Sequence, residues 1–207
     1  MKKFALFSLL LITISCTITR NASIEFKEEN TVTLTEFLDA KETDYEKEDV
    51  AVLKDFRTFI SYNDSSKLVA PEAYFFNKEG YRVVNNFKGT RCALVISNID
   101  KINSAPIEEK KEHISDWIKD FSFLSDNSTH TNPDDDYDVY VILSWAKFAD
   151  HIAKGSINET TLRWYKSLKE NPDLKIKTIL LNIDVQESWA LTDEHKEAIG
   201  MKNSEGK

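Results

Sequence analysis

Two cysteines carry the strongest nucleophilic chemistry in the chain. Cys92 lies in the run from Arg91 to Ile96, where the neighbouring arginine could stabilise a thiolate. The same run is apolar at almost every other position, which favours a small buried hydrophobic residue over a reactive thiol. We therefore keep Cys92 as a candidate lone thiol and expect it to be buried.

Metal ligation is the second chemistry that the residue types allow. Carboxylates cluster at Asp134 to Asp136 and at Asp138, and hard cations such as Ca²⁺ prefer several carboxylate oxygens. The spacing lacks the glycine and the distal glutamate of a calcium loop, so it favours a solvated acidic turn. The histidines are scattered, and five glycines in all argue against a phosphate-binding loop. We expect no metal and no cofactor.

The N-terminus has the three parts of a secretory signal, namely a basic start, an apolar stretch and a small residue before a cleavage point. These parts are Lys2 and Lys3, the stretch from Phe4 to Ile14, and Ser15. The apolar stretch is too short to cross a bilayer, which needs about twenty residues. We therefore expect residues 1–15 to be removed as a signal peptide.

The residues at this cleavage point, Ile14-Ser15-Cys16, resemble the lipobox of bacterial lipoproteins, although Thr13 replaces the usual leucine. The resemblance implies cleavage before Cys16 and a lipid on that cysteine, and hence a membrane-anchored protein of the bacterial cell envelope. Lipidation would leave Cys92 without a mate in the chain, which excludes a disulfide and a two-cysteine redox cycle. An ordinary secretory peptide is the alternative. No acidic cluster follows Cys16, which favours the periplasmic side.

The charge of the chain limits its partners. The formal net charge is −8, and it becomes −10 when Lys2 and Lys3 are removed with the signal. Such a surface repels phosphate backbones and anionic headgroups, so we expect no nucleic-acid partner.

The N-terminal third reads as a polar tether over residues 16–32 followed by accessory helices over residues 33–65. Thr33 to Glu36 has the spacing of a capping box and predicts a helix start. Leu53, Phe56 and Ile60 share one stripe and predict a second helix over residues 46–60.

From residue 66 onward the pattern alternates between strands and helices. Two aromatic and β-branched runs, over residues 73–76 and 81–84, flank a turn with Gly80 and predict a hairpin. Apolar runs predict buried strands at 92–96, 139–143 and 174–183, and amphipathic patterns predict helices at 107–121, 158–169 and 192–199. This alternation predicts an α/β domain over residues 66–207, with a mostly parallel sheet between two layers of helices.

Two segments resemble the thioredoxin family. In the run from Ser144 to Lys154, a strand leads into Trp145-Ala146, a variable residue, an aromatic residue, four further residues and then a helix. In the thioredoxin family those four residues are Cys-Gly-Pro-Cys. This chain has Ala149 and Ile152 in place of the two cysteines. The strand ending from Leu181 to Asp184 is also similar to the family pattern. The resemblance implies a three-layer thioredoxin-like sheet that lacks thiol exchange, because neither replacement side chain can form a thiolate.

The segment from Ala70 to Gly89 resembles two different hairpins. One is the entry hairpin of membrane-attached redoxin-type proteins, and the other is the C-terminal thioredoxin hairpin, in which a cis-proline opens a strand. Only residues 201–207 follow the last predicted helix, too few for two strands of about five residues each. A complete sheet would therefore take its far edge from the 72–88 hairpin, with Pro71 near Ala149.

Three functions follow as hypotheses, of which the first is favoured and is not enzymatic. A redox-inactive lipoprotein would bind an extracytoplasmic protein or peptide through a surface made of Pro71, Trp145, Phe148, Ala149, Asp150 and His151. A redoxin-type enzyme would use Cys92 as a lone thiol. An interaction or immunity-type lipoprotein would recognise its partner through the N-terminal helices, with the α/β body as a scaffold.

Overall fold

A computed structural model describes residues 26–64, 69–84, 96–125, 137–153 and 156–201, except the side chains of 151–153 and 156. Its centre is a five-stranded sheet in the order β2-β4-β5-β1-β3. The strands are β1 Val50–Leu53, β2 Glu72–Phe76, β3 Phe121–Phe123, β4 Val139–Trp145 and β5 Ile176–Asn182. The expected α/β class is confirmed.

The sheet has a parallel centre and antiparallel edges. Strands β4 and β1 both pair with β5 in parallel, whereas β2 pairs with β4 and β3 with β1 in antiparallel fashion. All seven residues of β4 are buried, as expected for a strand that is covered on both faces. The predictions of strands at 139–143 and 174–183 are therefore confirmed within two residues at each end.

Helices cover both faces of this sheet. They are α1 Thr31–Ala40, α2 Phe56–Asp64, α3 Ile114–Ile118, α4 Lys147–Ala153, α5 Ser156–Lys169 and α6 Asp193–Ala198. Single 3₁₀ segments occupy Lys47–Asp49, Ile99–Ser104 and Glu187–Trp189. Within the described ranges, none of the helices combines the length and the apolar character that a membrane crossing requires.

Alternate side chains of the strands enter two separate apolar clusters. On one face, Val141 and Leu180 pack with side chains of α1 and α5, such as Leu38 and Leu162. On the other face, Ile142 packs in a cluster with residues of α2 and α3, including Tyr62 and Trp117. This alternation is the period of two that a strand imposes, and it produces a helix–sheet–helix arrangement.

The expectation of one helix over residues 46–60 is wrong. Val50–Leu53 forms β1, an internal strand between β5 and β3, and α2 begins only at Phe56. The stripe formed by Leu53, Phe56 and Ile60 crosses the junction between the two elements. Residues 33–65 are therefore not only accessory helices, because they supply one strand of the central sheet.

The buried carboxylate of Asp49 holds the start of β1 in place through hydrogen bonds. Asp49 is 1% exposed, and its carboxylate accepts hydrogen bonds from Tyr165 Oη at 2.8 Å, Lys169 Nζ at 3.1 Å and Lys177 Nζ at 2.8 Å. Burial alone would lower the pKa of Lys169, but the Glu46 hydrogen bond and the Asp49 charge outweigh burial and raise that pKa. Asp49, the residue directly before β1, thus links this strand to α5 and β5.

The folded body also begins earlier than expected. Helix α1 is capped by Asn30 and not by Thr33, and the two side chains form a reciprocal capping box. Glu29 forms an isolated parallel bridge with Gln186. Residues 26–32 therefore belong to the body, and the expected tether over residues 16–32 is wrong for that part.

The predicted hairpin is confirmed at the edge of the sheet. Phe76 and Arg82 form an antiparallel bridge, and Asn77 N–H donates to the Tyr81 carbonyl at 2.9 Å. Gly80 occupies the turn with φ +81°, a conformation that favours glycine.

The helix expected over residues 107–121 is wrong in its first half. Ile107 and His113 instead form isolated bridges with Val83 and Tyr81 on the outer side of the hairpin, and α3 spans only Ile114–Ile118. Of the predicted strand at 92–96, only Ile96 lies within the described residues.

Candidate functional site

The end of β4 and the start of α4 form the junction at which the sequence placed its site. Trp145 ends β4, Ala146 links the two elements, and Lys147 begins α4. The Asp184 carboxylate accepts hydrogen bonds from Lys147 N–H at 2.7 Å and Phe148 N–H at 3.2 Å. A side chain beyond β5 thus satisfies the free backbone donors at the start of a helix that follows β4.

Asp184 is one of a row of buried polar residues after β5. Its side chain also accepts a hydrogen bond from Asn182 Nδ2 at 2.6 Å, and Gln186 Nε2 donates to Asn182 Oδ1 at 3.0 Å. Burial raises the pKa of Asp184, although its hydrogen bonds with Lys147, Asn182 and Phe148 act in the opposite direction.

Asn158 fixes the junction from the side of α5. This buried amide donates to the Ala146 carbonyl at 2.8 Å and to Asp150 Oδ1 at 2.7 Å, and it accepts from Ala146 N–H at 3.3 Å. The other oxygen of Asp150 forms an ion pair with Lys41 Nζ at 2.7 Å. Helix α4 is therefore held to α5 and to the end of α1 by polar contacts.

The first described residues of the chain cover part of this junction. Glu29 N–H donates to the Val185 carbonyl, and the Glu29 carbonyl accepts from Glu187 N–H, both at 2.8 Å. The Glu29 carboxylate pairs with Lys147. The ring of Phe26 meets that of Phe148 edge to face, with centroids 5.2 Å apart. The N-terminal segment thus lies directly against the start of α4.

Pro71 lies beside the same junction. Strand β2 pairs with β4 so that Glu72 is opposite Ser144, and one further step of the antiparallel register places Pro71 opposite Trp145. The Ala70–Pro71 bond is cis, and Ser144 Oγ donates to the Val69 carbonyl and accepts from Glu72 N–H. The neighbouring Val69 side chain is 51% exposed.

Only some of the residues of the predicted binding surface are exposed to solvent. Trp145 is 1% exposed and Ala149 is 2% exposed, so the expectation that they contact a partner is wrong for both. Trp145 packs flat on Phe37 of α1 at 5.7 Å between centroids, because alternation along β4 turns it into the core. Its indole N–H has no hydrogen-bond partner among the described residues. Phe148, Asp150 and Pro71 remain partly exposed.

Three predicted residues lie outside what the structure describes. They are Cys16, Cys92 and, for its side chain, His151.

Sequence reasoning missed the residues that position the junction. Asp184 was part of the family-like pattern but was given no role, and Asn158 and Glu29 were overlooked. The alternation of Asn182, Asp184 and Gln186 directly after a buried strand is the signal that could have identified a polar cluster. Glu29 carried no such signal, because its partner Lys147 is 118 residues away.

The carboxylates of Asp184 and Asp150 are engaged in holding α4. The partly exposed residues at this junction, Pro71, Phe148 and Asp150, offer apolar contact and charge. Among the residues that the structure describes, no group of three or more His, Cys, Asp or Glu side chains could hold a metal ion. Comparison with family models, curated proteins and solved structures finds no match to this chain.

Proposed function

We propose that this chain is an exported lipoprotein, anchored through Cys16, that binds a protein or peptide partner without redox chemistry. The binding surface would consist of Val69, Pro71, Phe148 and Asp150, which we call the junction surface. The observation that carries the proposal is the register of β2 and β4, which brings Pro71 beside the strand end that leads into α4.

The same arrangement supports a thioredoxin-like sheet with a rearranged chain order. Three parallel strands are flanked by an antiparallel strand that Pro71 precedes, and that strand lies next to the one that enters α4. Ala70 and Phe148 pack against the same apolar cluster as Ala149. Pro71 and the position of the missing cysteine thus belong to one neighbourhood, as the resemblance implies for a polypeptide-binding surface.

The junction surface suits an extended polypeptide with an apolar side chain. Helix α4 is held in place by Asp184, Asn158 and Lys41, so the surface needs little ordering when it binds. Phe148 already receives one aromatic ring, that of Phe26, which shows the kind of side chain that packs there. A partner would contact Phe148 beside Phe26 or in place of it.

Site-specific photo-crosslinking in the source cells tests this proposal. A photoreactive phenylalanine analogue is placed at Phe148 or at Val69, and the covalent adducts are identified by mass spectrometry. We expect both positions to capture the same partner, and we expect Phe148→Asp to abolish the adduct from Val69 because a charge opposes apolar burial.

The matched control places the same probe at Ile107, which is 44% exposed on the outer side of the hairpin. Adducts that form equally from Ile107, or an adduct from Val69 that survives Phe148→Asp, would remove the junction surface from consideration. A third probe at Val32, 63% exposed on α1, tests recognition by the N-terminal helices. Deleting residues 17–65 would be uninformative, because the deletion removes β1.

A further inference from the structure

A second recessed surface lies at the opposite end of α5 from the junction. It is a cleft of about 520 Å³ between the 3₁₀ segment Ile99–Ser104 and the C-terminal turn of α5 with the loop that follows. Asn158 lies in the first turn of α5, and Ser167 lines the cleft from its last turn, nine residues or about 14 Å further at the helical rise. The cleft is therefore distinct from the junction surface.

The walls of this cleft combine apolar side chains with one aromatic ring. Ile99 and Leu174 line it together with Trp164, which packs partly against the core below. Its volume falls within the range of small-molecule sites, about 300–1,000 Å³.

Two acidic residues, Asp100 and Asp173, also line the cleft. Across the described ranges, neither carboxylate takes part in an ion pair or a side-chain hydrogen bond. The nearest following lysines in the sequence, Lys101 and Lys175, place their ammonium groups against other residues. Lys101 Nζ donates to Asn98 Oδ1 at 2.7 Å, and Lys175 Nζ lies over the ring of Tyr137 at 4.9 Å from its centroid. Among the described residues, the cleft thus combines two acidic residues without ion-pair partners and a tryptophan.

We propose that this cleft binds an organic cation, an alkylammonium or guanidinium group carried on an apolar stem. The ring of Trp164 attracts a cation, the two carboxylates accept its N–H donors, and the apolar wall covers the methylene stem. Anionic ligands are repelled by both carboxylates. A free amine and the side chain of a lysine share this chemistry.

Titration of the full-length chain in detergent micelles tests the inference, with 5-fluorotryptophan as the ¹⁹F reporter. The chain has four tryptophans, so Trp164→Phe identifies the Trp164 signal and the other three signals are internal references. The probes are pentylamine, N-acetyl-lysine amide and a Gly-Gly-Lys-Gly-Gly peptide. N-acetyl-norleucine amide, which has the stem without the charge, is the neutral control.

We expect the cationic probes to shift the Trp164 signal in a saturable way, and the norleucine amide to leave it in place. Asp100→Asn together with Asp173→Asn should weaken binding by up to about 25-fold, since each lost ion pair contributes up to about a factor of five. Glu36→Gln together with Glu48→Gln removes the same two charges from exposed sites elsewhere and should leave the affinity unchanged. Pentylamine that binds as well as the peptide identifies a free amine as the ligand, and tighter peptide binding identifies a lysine side chain.

Two results would overturn the inference. One is a norleucine amide that shifts the Trp164 signal as strongly as the lysine amide, because the charge would then be irrelevant. The other is undiminished binding to the Asp100 and Asp173 double variant. Neither result bears on the junction surface, whose crosslinking test uses other residues.

Discussion

Asp184 shows the conflict that a buried carboxylate meets when it also caps a helix. It is 4% exposed, and its charged form accepts hydrogen bonds from the first two N–H groups of α4. Burial nevertheless raises its pKa, so desolvation outweighs these donors. Asp184 thus positions the start of α4 beside the end of β5. Its ionised form is less favourable in the folded chain than in water, which lowers the stability of the fold.

The pH dependence of stability follows from that direction. The folded chain binds the Asp184 proton more tightly than the unfolded chain does. Protonation of Asp184 therefore adds to the free energy of unfolding, and this stabilisation is fully present below the unfolded pKa of about 3.9. It is lost as the pH rises through the higher folded pKa. We expect Asp184→Asn, which does not titrate, to gain stability relative to the wild type as the pH rises from about 4 to 7.

Urea unfolding at a series of pH values measures this difference. Glu36→Gln, at an exposed position of α1, is the control for removing one carboxylate. A relative stability of Asp184→Asn that falls with rising pH would contradict the assignment.

At the scale of elements, the hairpin packs closely against residues 107–113 at its turn. His113 caps α3, and its Nε2–H donates to the Glu79 carbonyl at 2.8 Å while Nδ1 accepts from Ser115 N–H at 3.2 Å. A Cβ on Gly80 would lie 2.4 Å from His113 Nε2. The turn thus needs glycine for its positive φ and for the histidine beside it.

A double-mutant cycle separates these two needs. Gly80→Ala should cost about 3 kcal/mol, from the left-handed backbone and the overpacking together. In a His113→Ala background the same change should cost about 1–2 kcal/mol, because only the backbone contribution remains. Urea unfolding of the four proteins gives the coupling energy, and a value near zero would mean that the ring moves away freely.

The elements that were predicted well from the sequence each show the hydrophobic pattern of a single type of secondary structure. Strand β4 is apolar at nearly every position, β5 alternates and then contains the apolar run Ile179-Leu180-Leu181, and α5 carries a regular stripe that ends at the Asn171-Pro172 stop. Strand β1 was missed because it has only four residues and lies between a 3₁₀ turn and α2. Its apolar residue Leu53 falls in line with the apolar stripe of α2, so the two elements look like one helix in the sequence. At the candidate site, the sequence pattern indicated that a helix follows β4 but could not show that alternation buries Trp145.

At the scale of the whole molecule, the hairpin with β2 lies at the edge of the sheet beside β4, as the sequence predicted. The contacts of Glu29 and Asp184 with α4 could not be predicted, since they depend on how distant segments meet.

Lipidation is the prediction that concerns the whole molecule. We expect labelled palmitate to be incorporated into the chain when it is expressed in bacterial cells, and Cys16→Ser to abolish both the label and membrane association. Cys92→Ser is the matched control and should retain both, because only the cysteine at the cleavage point is modified. Label that persists in Cys16→Ser would show that the anchor is elsewhere.

The packing of Phe26 on Phe148 has a consequence for orientation at the bilayer. If Cys16 carries the lipid, ten residues join it to Phe26, and a chain of that length spans at most about 35 Å. The strand ends at which α4 begins would therefore stay within about that distance of the headgroups. A partner of the junction surface would then have to come within the same reach of the membrane plane.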